Sequence, residues 1–444
     1  MKRSVLLMLL VALAIGQQGY AQQASQNINV LPVYLNEEDD PLLPLDVDAY
    51  LKGDLYLQRQ VEPTIVESTR NPDHLLAFFV DYRSVDIPHD IGLGQSENVA
   101  EKRGLFRTLI AKLFGRSETR AELPAQAAAA EAWIGGGESY NGGSTWSGFM
   151  VPGAFWDPAP ASALTPIYGL EAATDPVAAP APCGAAYVGL IGFTRGGESK
   201  MVVARYRDLN NLEGGATWVY DGMSVVETGN NADQGHFIDK PFILVDPERQ
   251  GAGGVCAHNV YITYSTFNGL AKDGKFQSKV NFAHLFDDGT SLESSTYSGP
   301  TFNNQDFDTQ TIHKTYKQNQ GTWMAVDTRP GTPSSGGGGT VYVFWRHFFD
   351  PDAILMRRTT NFGQGFTGNP EVITGDLNLA TFDQLGISTA SGPQWLSFRS
   401  NGFPTATIST WDDGFGEKQT TVMVAFHLDH VPPAAPLPST VRQR

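Results

Sequence analysis

Stretches in which apolar or β-branched residues alternate with polar ones recur along the chain, and they recur in sets of three. The first member of each set is led by Pro or Gly: VEPTIVEST from Val61, TDPVAAPAP from Thr174, DKPFILVDPE from Asp239, GTWMAVDTRP from Gly321 and GPQWLSFRS from Gly392. The second ends on an aromatic or polar signature: HLLAFFVDYR from His74, AYVGLIGFTR from Ala186, NVYITYSTF from Asn259, TVYVFWRHF from Thr340 and PTATISTWDD from Pro404. The third leads into a turn: AEAWIGGGESYNGG from Ala130, SKMVVARYRD from Ser199, SKVNFAHLFDDG from Ser278, DAILMRRTTNFG from Asp352 and TTVMVAFHLDH from Thr420.

Each set predicts three strands with room for a fourth, such as TWVYDGMSVVET after Ala216. A twisted antiparallel unit of this kind cannot bury both faces alone, whereas units placed radially around an axis can. The pattern therefore predicts an all-β fold, a β-propeller of about six four-stranded blades, five of them visible. A stack of sandwich domains is the alternative, and the shared signature argues against it. The propeller is expected over residues 61–430. The segment 22–60, with NINVLPVYL and GDLYLQ, could complete a blade, and the Pro-rich residues 431–444 form a tail.

Inside the first repeat, the period changes from two to that of a helix. Leu105, Phe106, Leu109, Ile110, Leu113 and Phe114 are flanked by Lys102, Arg103, Arg107, Lys112 and Arg116, so a helical insertion is expected over 98–130. Its favoured role is a brace packed on the propeller, with contact of 101–120 to a membrane surface as the alternative.

At the N-terminus, Lys2 and Arg3 precede an apolar run from Val5 to Ile15 and small residues at Gly19 and Ala21. That is the pattern of a secretory signal peptide over 1–21, too short for a membrane span. No later run is long enough for an integral span, so a secreted or periplasmic protein is expected. The formal net charge is −16, and such a surface repels phosphate backbones, which argues against a nucleic-acid partner. The two cysteines, Cys183 and Cys256, cannot by themselves make a structural zinc site, and in an oxidising compartment a disulfide is favoured over two buried free thiols. They stand four and five residues before Tyr187 and Tyr261, at equivalent places in neighbouring repeats, so the bond would link the second and third units.

The turn after the third strand carries a more specific mark. Ser139, Asn141, Gly143, Thr145 and Trp146 fit S-x-D-x-G-x-T-W with Asn in the Asp position, and the frame returns at Asp287, Gly289, Ser291 and Leu292, and at Thr359, Asn361, Gly363 and Phe366. Arg207 and Asp208 lead through an insertion to Gly214, Gly215, Ala216, Thr217 and Trp218. The chain thus resembles the Asp-box (BNR-repeat) propellers of the sialidase-like superfamily. The resemblance covers about Val61 to His430 and implies that the boxes are scaffold, lying away from the ligand face. It also implies a glycan or glycoconjugate as partner, and either glycoside hydrolysis or non-catalytic recognition, since both occur in that superfamily.

Zinc-protease, α/β-hydrolase and nucleotide-binding motifs are absent from the sequence. Sialidases hold a substrate carboxylate with arginines and use a tyrosine nucleophile beside a glutamate, with an aspartic acid as acid/base. By position, Arg83, Arg195 and Arg346 end second-member strands in three units, and Asp81, Asp86, Asp239 and Tyr264 lie at related strand ends. The resemblance makes these an anionic-sugar site, with Arg83 and Arg346 as clamps, Asp86 as acid and Tyr264 as a further catalytic candidate. The alternative is that the arginines make ion pairs between blades, which the lack of an F/Y-R-I-P motif favours; the nearest stretch is DYRSVDIP from Asp81. Aromatics near these ends, Phe78, Phe79, Trp345 and Phe348 among them, are expected to be mostly core. No organic cofactor is expected. Asp208, Asn210 and Glu213 place oxygens at near-alternate positions, as a structural calcium would need, although a plain Asx-rich turn is the favoured reading.

Overall fold

The computed structural model describes residues 60–81, 132–154, 157, 159–194, 196–209, 218–230, 236–247, 255–268, 277–293, 297, 299–329, 338–348, 352–374, 388–389, 392–393, 403–412 and 418–426. The leader 1–21, nearly all of 22–60, the insertion 98–130 and the tail 431–444 lie outside the described residues.

The described chain is all-β, built from consecutive antiparallel meanders. β1 (Gln60–Glu67), β2 (Leu75–Asp81), β3 (Trp133–Ser139) and β4 (Ser147–Met150) pair in chain order. The same order recurs in β5 (Ala172–Ala181), β6 (Ala185–Phe193), β7 (Glu198–Asp208) and β8 (Trp218–Asn230), then in β9 (His236–Asp246), β10 (His258–Asn268), β11 (Gln277–Asp287) and β12 (Asp308–Thr315). Among the described residues, the ladder between these two meanders is the single pair Asn230 and His236. A fourth meander comprises β13 (Asn319–Val326), β14 (Val341–His347), β15 (Ala353–Thr359) and the short β16 (Glu371–Val372). A two-residue ladder of β17 (Ser388–Thr389) and β18 (Gly392–Pro393) follows, then the hairpin β19 (Thr405–Asp412) and β20 (Lys418–Ala425). Among the described residues, helix is confined to single turns, α1 (Pro160–Ala163) and α2 (Thr290–Glu293), with a 3-10 turn at Pro182–Gly184.

Strand alternation explains how the meanders stack. On β6, Ala186, Val188 and Leu190 join a core with Phe78 and Trp133 of the first sheet, while Ala185, Tyr187 and Ile191 face Val260, Ile262 and Tyr264 of the third. On β10 the next parity, Tyr261, enters a core with Phe282, Val343 and Trp345. The hairpin β19–β20 lays Ala406, Val422 and Val424 on Phe344, Ile354 and Met356. Both faces of the middle sheets are therefore apolar and covered, which is why their strands read as nearly continuous hydrophobic runs.

First strands of successive sheets pack beside one another, β1 on β5, β5 on β9 and β9 on β13. Thr64 accepts from the Ala178 amide at 3.1 Å, and Thr263 meets Thr322 at 3.0 Å. Trp323 Nε1 donates to the Ala406 carbonyl at 2.9 Å, carrying the series on to the hairpin.

The Asp-box frames occupy the turns from third to fourth strand. In the first, Asn141 Oδ1 accepts from the Thr145 amide at 2.8 Å, Ser139 Oγ accepts from the Gly143 amide at 2.9 Å, and Trp146 Nε1 donates to the Gly143 carbonyl at 3.0 Å. Gly143 has φ of +85°, where a side chain is strained. The aromatic of the last frame, Phe366, stacks edge-on against Phe282 of the preceding sheet with centroids 5.0 Å apart. The frames are local turn chemistry plus packing between sheets.

Candidate functional site

Odd strands of each meander run in one direction, so the array has two ends. The end carrying the Asp-box turns is locked by buried polar clamps. Asp208, at the end of β7, accepts from Ser68 Oγ at 2.7 Å and His74 Nδ1 at 2.8 Å, and none of the three is exposed beyond 2%. Although these are the residue types of a hydrolytic triad, the serine is bonded to the carboxylate and not to the imidazole, so no nucleophile is activated. Between the second and third sheets, Arg205 reaches Asp221 at 2.7 Å, Asp287 at 2.5 Å, Ser291 at 2.8 Å and Thr301 at 2.6 Å. Tyr187 donates to Asp287 at 2.6 Å, and His258 Nδ1 donates to the Cys256 carbonyl at 2.8 Å. Cys183 and Cys256 are joined as a disulfide, with Cα atoms 5.6 Å apart, tying the same two sheets together. Gly289 of the Asp box packs so closely on the Cys256 backbone that a Cβ there would sit 2.3 Å from it. The side chains named at this end tie one sheet to the next.

The opposite end is built differently. Near the start of β1, β5 and β9 the ladder slips by a bulge, and one residue of each bulge is left-handed: Glu62 at φ +54°, Asp175 at +54° and Lys240 at +47°. Each is followed by a proline, Pro63, Pro176 and Pro241, which cannot donate to the ladder. In β13 the equivalent bulge carries Gly321 at +67°. Non-glycine residues held at positive φ cost about 1–3 kcal/mol each and persist where surrounding contacts fix them.

Those contacts are the side chains themselves. Lys240 Nζ lies 2.5 Å from Glu62 Oε1 and 3.2 Å from Asp175 Oδ1, and Asp175 also accepts from the Lys240 amide at 3.2 Å. Glu62 shares a hydrogen bond with Asp175, Asp175 with Asp239, and Gln320 of β13 donates to Asp239. One polar chain thus crosses the first strands of four successive sheets. It is partly open to solvent, with 39% of the Glu62 side chain and 28% of the Lys240 side chain exposed.

Burial, together with the neighbouring Asp175, pushes Glu62 up to about 7. Burial and the Asp175 charge likewise push Asp239 up to about 7, against the pull of Lys240 and Gln320. Burial would raise Asp175 too, but its hydrogen bond with Glu62 and the Lys240 ammonium outweigh that and hold it below the ordinary aspartate value. Lys240 sits above the usual lysine value, because Asp175 and Glu62 outweigh the burial that favours its neutral form. The cluster therefore holds an ionised carboxylate and an ammonium next to two carboxyls that exchange protons near neutrality, the composition of an acid/base centre.

Other residues named from the sequence fall elsewhere. Arg83, Asp86, Arg195, Asn210 and Glu213 lie outside the described residues. Arg346 has no exposed surface and pairs with Asp352, just before β15, at 2.6 Å, with Phe348 against its guanidinium at 4.2 Å. Tyr264 is also fully buried; its hydroxyl donates to Glu227, which pairs with His236 at 2.5 Å. Burial and the Glu227 charge hold the Tyr264 phenol well above its ordinary value, the reverse of an activated nucleophile. Phe78, Trp345 and Phe348 are core. Among the described residues, no group of three or more His, Cys, Asp or Glu side chains is arranged to hold a metal ion. Glu62, Asp175 and Lys240 were missed as site residues, although the sequence holds their signal: a charged residue directly before proline at the head of three repeats.

No family model and no curated protein matches the chain. Among solved structures it is similar to a Trypanosoma rangeli sialidase in complex with 2,3-difluoro-KDN, at 9% identity and a TM-score of 0.34, over 82% of this chain and 43% of that one. It is also similar to a protein of unknown function from Dyadobacter fermentans, at 12% identity and TM-score 0.28, over 83% and 94% of the two chains. A third likeness is to a PL25 ulvan lyase, a polysaccharide lyase, at 8% identity and TM-score 0.32, over 85% and 70%. The chain spans less than half the length of the sialidase it matches.

Proposed function

We propose that this chain is an exported β-propeller of the Asp-box kind that binds or hydrolyses glycans at the end of the array formed by Glu62, Asp175, Asp239 and Lys240. The observation that carries the reading is the partly exposed pair of Glu62 and Lys240, a carboxyl and an ammonium, with the buried Asp175 carboxylate beside them near the start of the first strands. Carboxylates accept from sugar hydroxyls, an ammonium donates to ring and hydroxyl oxygens, and a carboxyl titrating near 7 can protonate a leaving glycosidic oxygen. The propeller is supported by the side-by-side packing of β1, β5, β9 and β13, with both faces of the middle sheets covered. Export is supported by the signal-like leader and by the disulfide. Among the described residues, no helix is long and apolar enough to cross a membrane.

A second reading, recognition without catalysis, is favoured by one specific feature. Glu62 and Asp175 share a hydrogen bond, whereas hydrolytic carboxyl pairs stand about 5–10 Å apart to admit the scissile bond. Incubating the mature protein with a mixed glycan library and reading products by mass spectrometry separates the two. A discrete mass loss, abolished in Glu62→Gln, establishes the glycosidase. An unchanged library with glycans retained on the protein establishes recognition, and an unchanged library with nothing retained removes the glycan reading.

A further inference from the structure

We infer that the cluster of Glu62, Asp175, Lys240, Asp239 and Gln320 takes an uncharged sugar through its hydroxyls and excludes carboxylated and sulfated ones. The inference rests on the glycan reading of this site and reverses the anionic-sugar expectation drawn from the resemblance to sialidases.

The argument begins with what a substrate carboxylate would meet. Among the described residues, the cation of the cluster is Lys240, and two carboxylate-bearing side chains already hold its ammonium. Arg346, one of the two expected clamps, is sealed in the fold against Asp352. An incoming anion would lie beside the ionised Asp175, with no unengaged guanidinium among the described residues of the cluster to receive it, and like charges at that spacing repel. A hydroxyl meets no such penalty, because it donates to a carboxylate and accepts from an ammonium or a carboxyl.

A second feature points the same way. Thr263 of β10 faces β13, as its contact with Thr322 shows, and Ser265, two residues on, shares that face. Ser265 stands opposite Asp239 in the β9–β10 register, and Asp239 itself reaches across to Gln320 of β13. Ser265 has no exposed surface, and its hydroxyl has no hydrogen-bond partner among the described residues. Buried hydroxyls are normally partnered, so this one offers an unused donor and acceptor beside the carboxylates. A ligand hydroxyl can use both, whereas an anion can take only the donor.

The test is calorimetric titration of the purified chain with two series of oligosaccharides: neutral manno-, xylo- and galacto-oligosaccharides, and sialylated, uronate and sulfated ones. The expected result is neutral binding at least about tenfold tighter than acidic binding, insensitive to added salt, and weakened about tenfold by Asp175→Asn. Ser265→Ala, a smaller change, is expected to weaken neutral binding while the circular dichroism spectrum stays that of the parent. Tighter binding of the acidic series, lost in Lys240→Met, would overturn the inference and leave the glycan reading standing. Binding of neither series, or binding unchanged in all three variants, would overturn both.

Discussion

Lys240 Nζ lies 2.5 Å from Glu62 Oε1, a contact between residues 178 positions apart that joins the third sheet to the first across the second. Replacing Lys240 with Met leaves Glu62 and Asp175 facing each other without their cation. Because both Lys240 and Glu62 are partly exposed, the expected cost is modest, about 1–2 kcal/mol in urea unfolding. Glycan binding falls with it. A variant as stable as the parent that retains its ligands would remove Lys240 from the site.

The acid/base character of Glu62 has a pH signature. Its folded value, about 7, lies above the ordinary 4.5, so its contribution to stability is full below about 4.5 and is lost as pH rises through 7. Glu62→Gln keeps the uncharged form at every pH. The melting temperature of the variant relative to the parent is expected to climb between pH 5 and pH 8. His284 and His313 work in the opposite sense: burial lowers both from 6.5 to about 4, so their contribution is present above 6.5 and lost as pH falls through 4. The difference between variant and parent isolates Glu62 from them, and a flat difference would mean that Glu62 titrates normally.

The disulfide closes a segment with a sequence separation of 73. Loop-closure entropy puts its contribution at about 4 kcal/mol. Replacing both Cys183 and Cys256 with Ala is expected to lower unfolding stability by roughly that amount, and a reductant should do the same to the parent and nothing to the variant.

Arg205 is 2% exposed and holds Asp221 and Asp287 together. Arg205→Met strands both carboxylates in the interior, at an expected cost of about 3–5 kcal/mol by denaturant titration. Binding at the opposite end should survive in whatever fraction remains folded, which would separate the scaffold end from the glycan end.

Asp208 gives its side chain to Ser68 and His74, which is the work of a clamp between sheets. Calcium addition and chelation are therefore expected to leave the melting temperature unchanged. A calcium-dependent rise would restore Asp208, with Asn210 and Glu213, as an ion site.

Much of the fold was legible because strand periodicity and turn chemistry are local. VEPTIVEST, TDPVAAPAP and DKPFILVDPE mark β1, β5 and β9, TWVYDGMSVVET marks β8, and the frames at Ser139, Asp287 and Thr359 fall on the turns from third to fourth strand. Of the fifth set, GPQWLSFRS lies outside the described residues apart from Gly392 and Pro393, and PTATISTWDD supplies β19, which packs on β13. The site was harder to read, because it is assembled from single residues of separate repeats. Arg346 lies near the end of β14, as expected, whereas Tyr264 stands in the middle of β10, because that strand runs on to Asn268; Glu227 and Asp352 engage both side chains in the interior, and sequence spacing carries no record of either partner. Glu62, Asp175 and Lys240 were visible only as residues preceding proline. Their positive φ and their meeting across three sheets arise from bulges that period-two reasoning does not register.

The most direct test is to label the purified chain with photoreactive glycans of both neutral and acidic kinds and map the attachment points by peptide mass spectrometry. The account predicts labelling on the opening residues of β1, β5 and β9, around Glu62, Asp175 and Lys240, suppressed by excess unlabelled glycan. Labelling confined to the Asp-box end, around Asn141, Asp287 or Asn361, or no competable labelling at all, would contradict it.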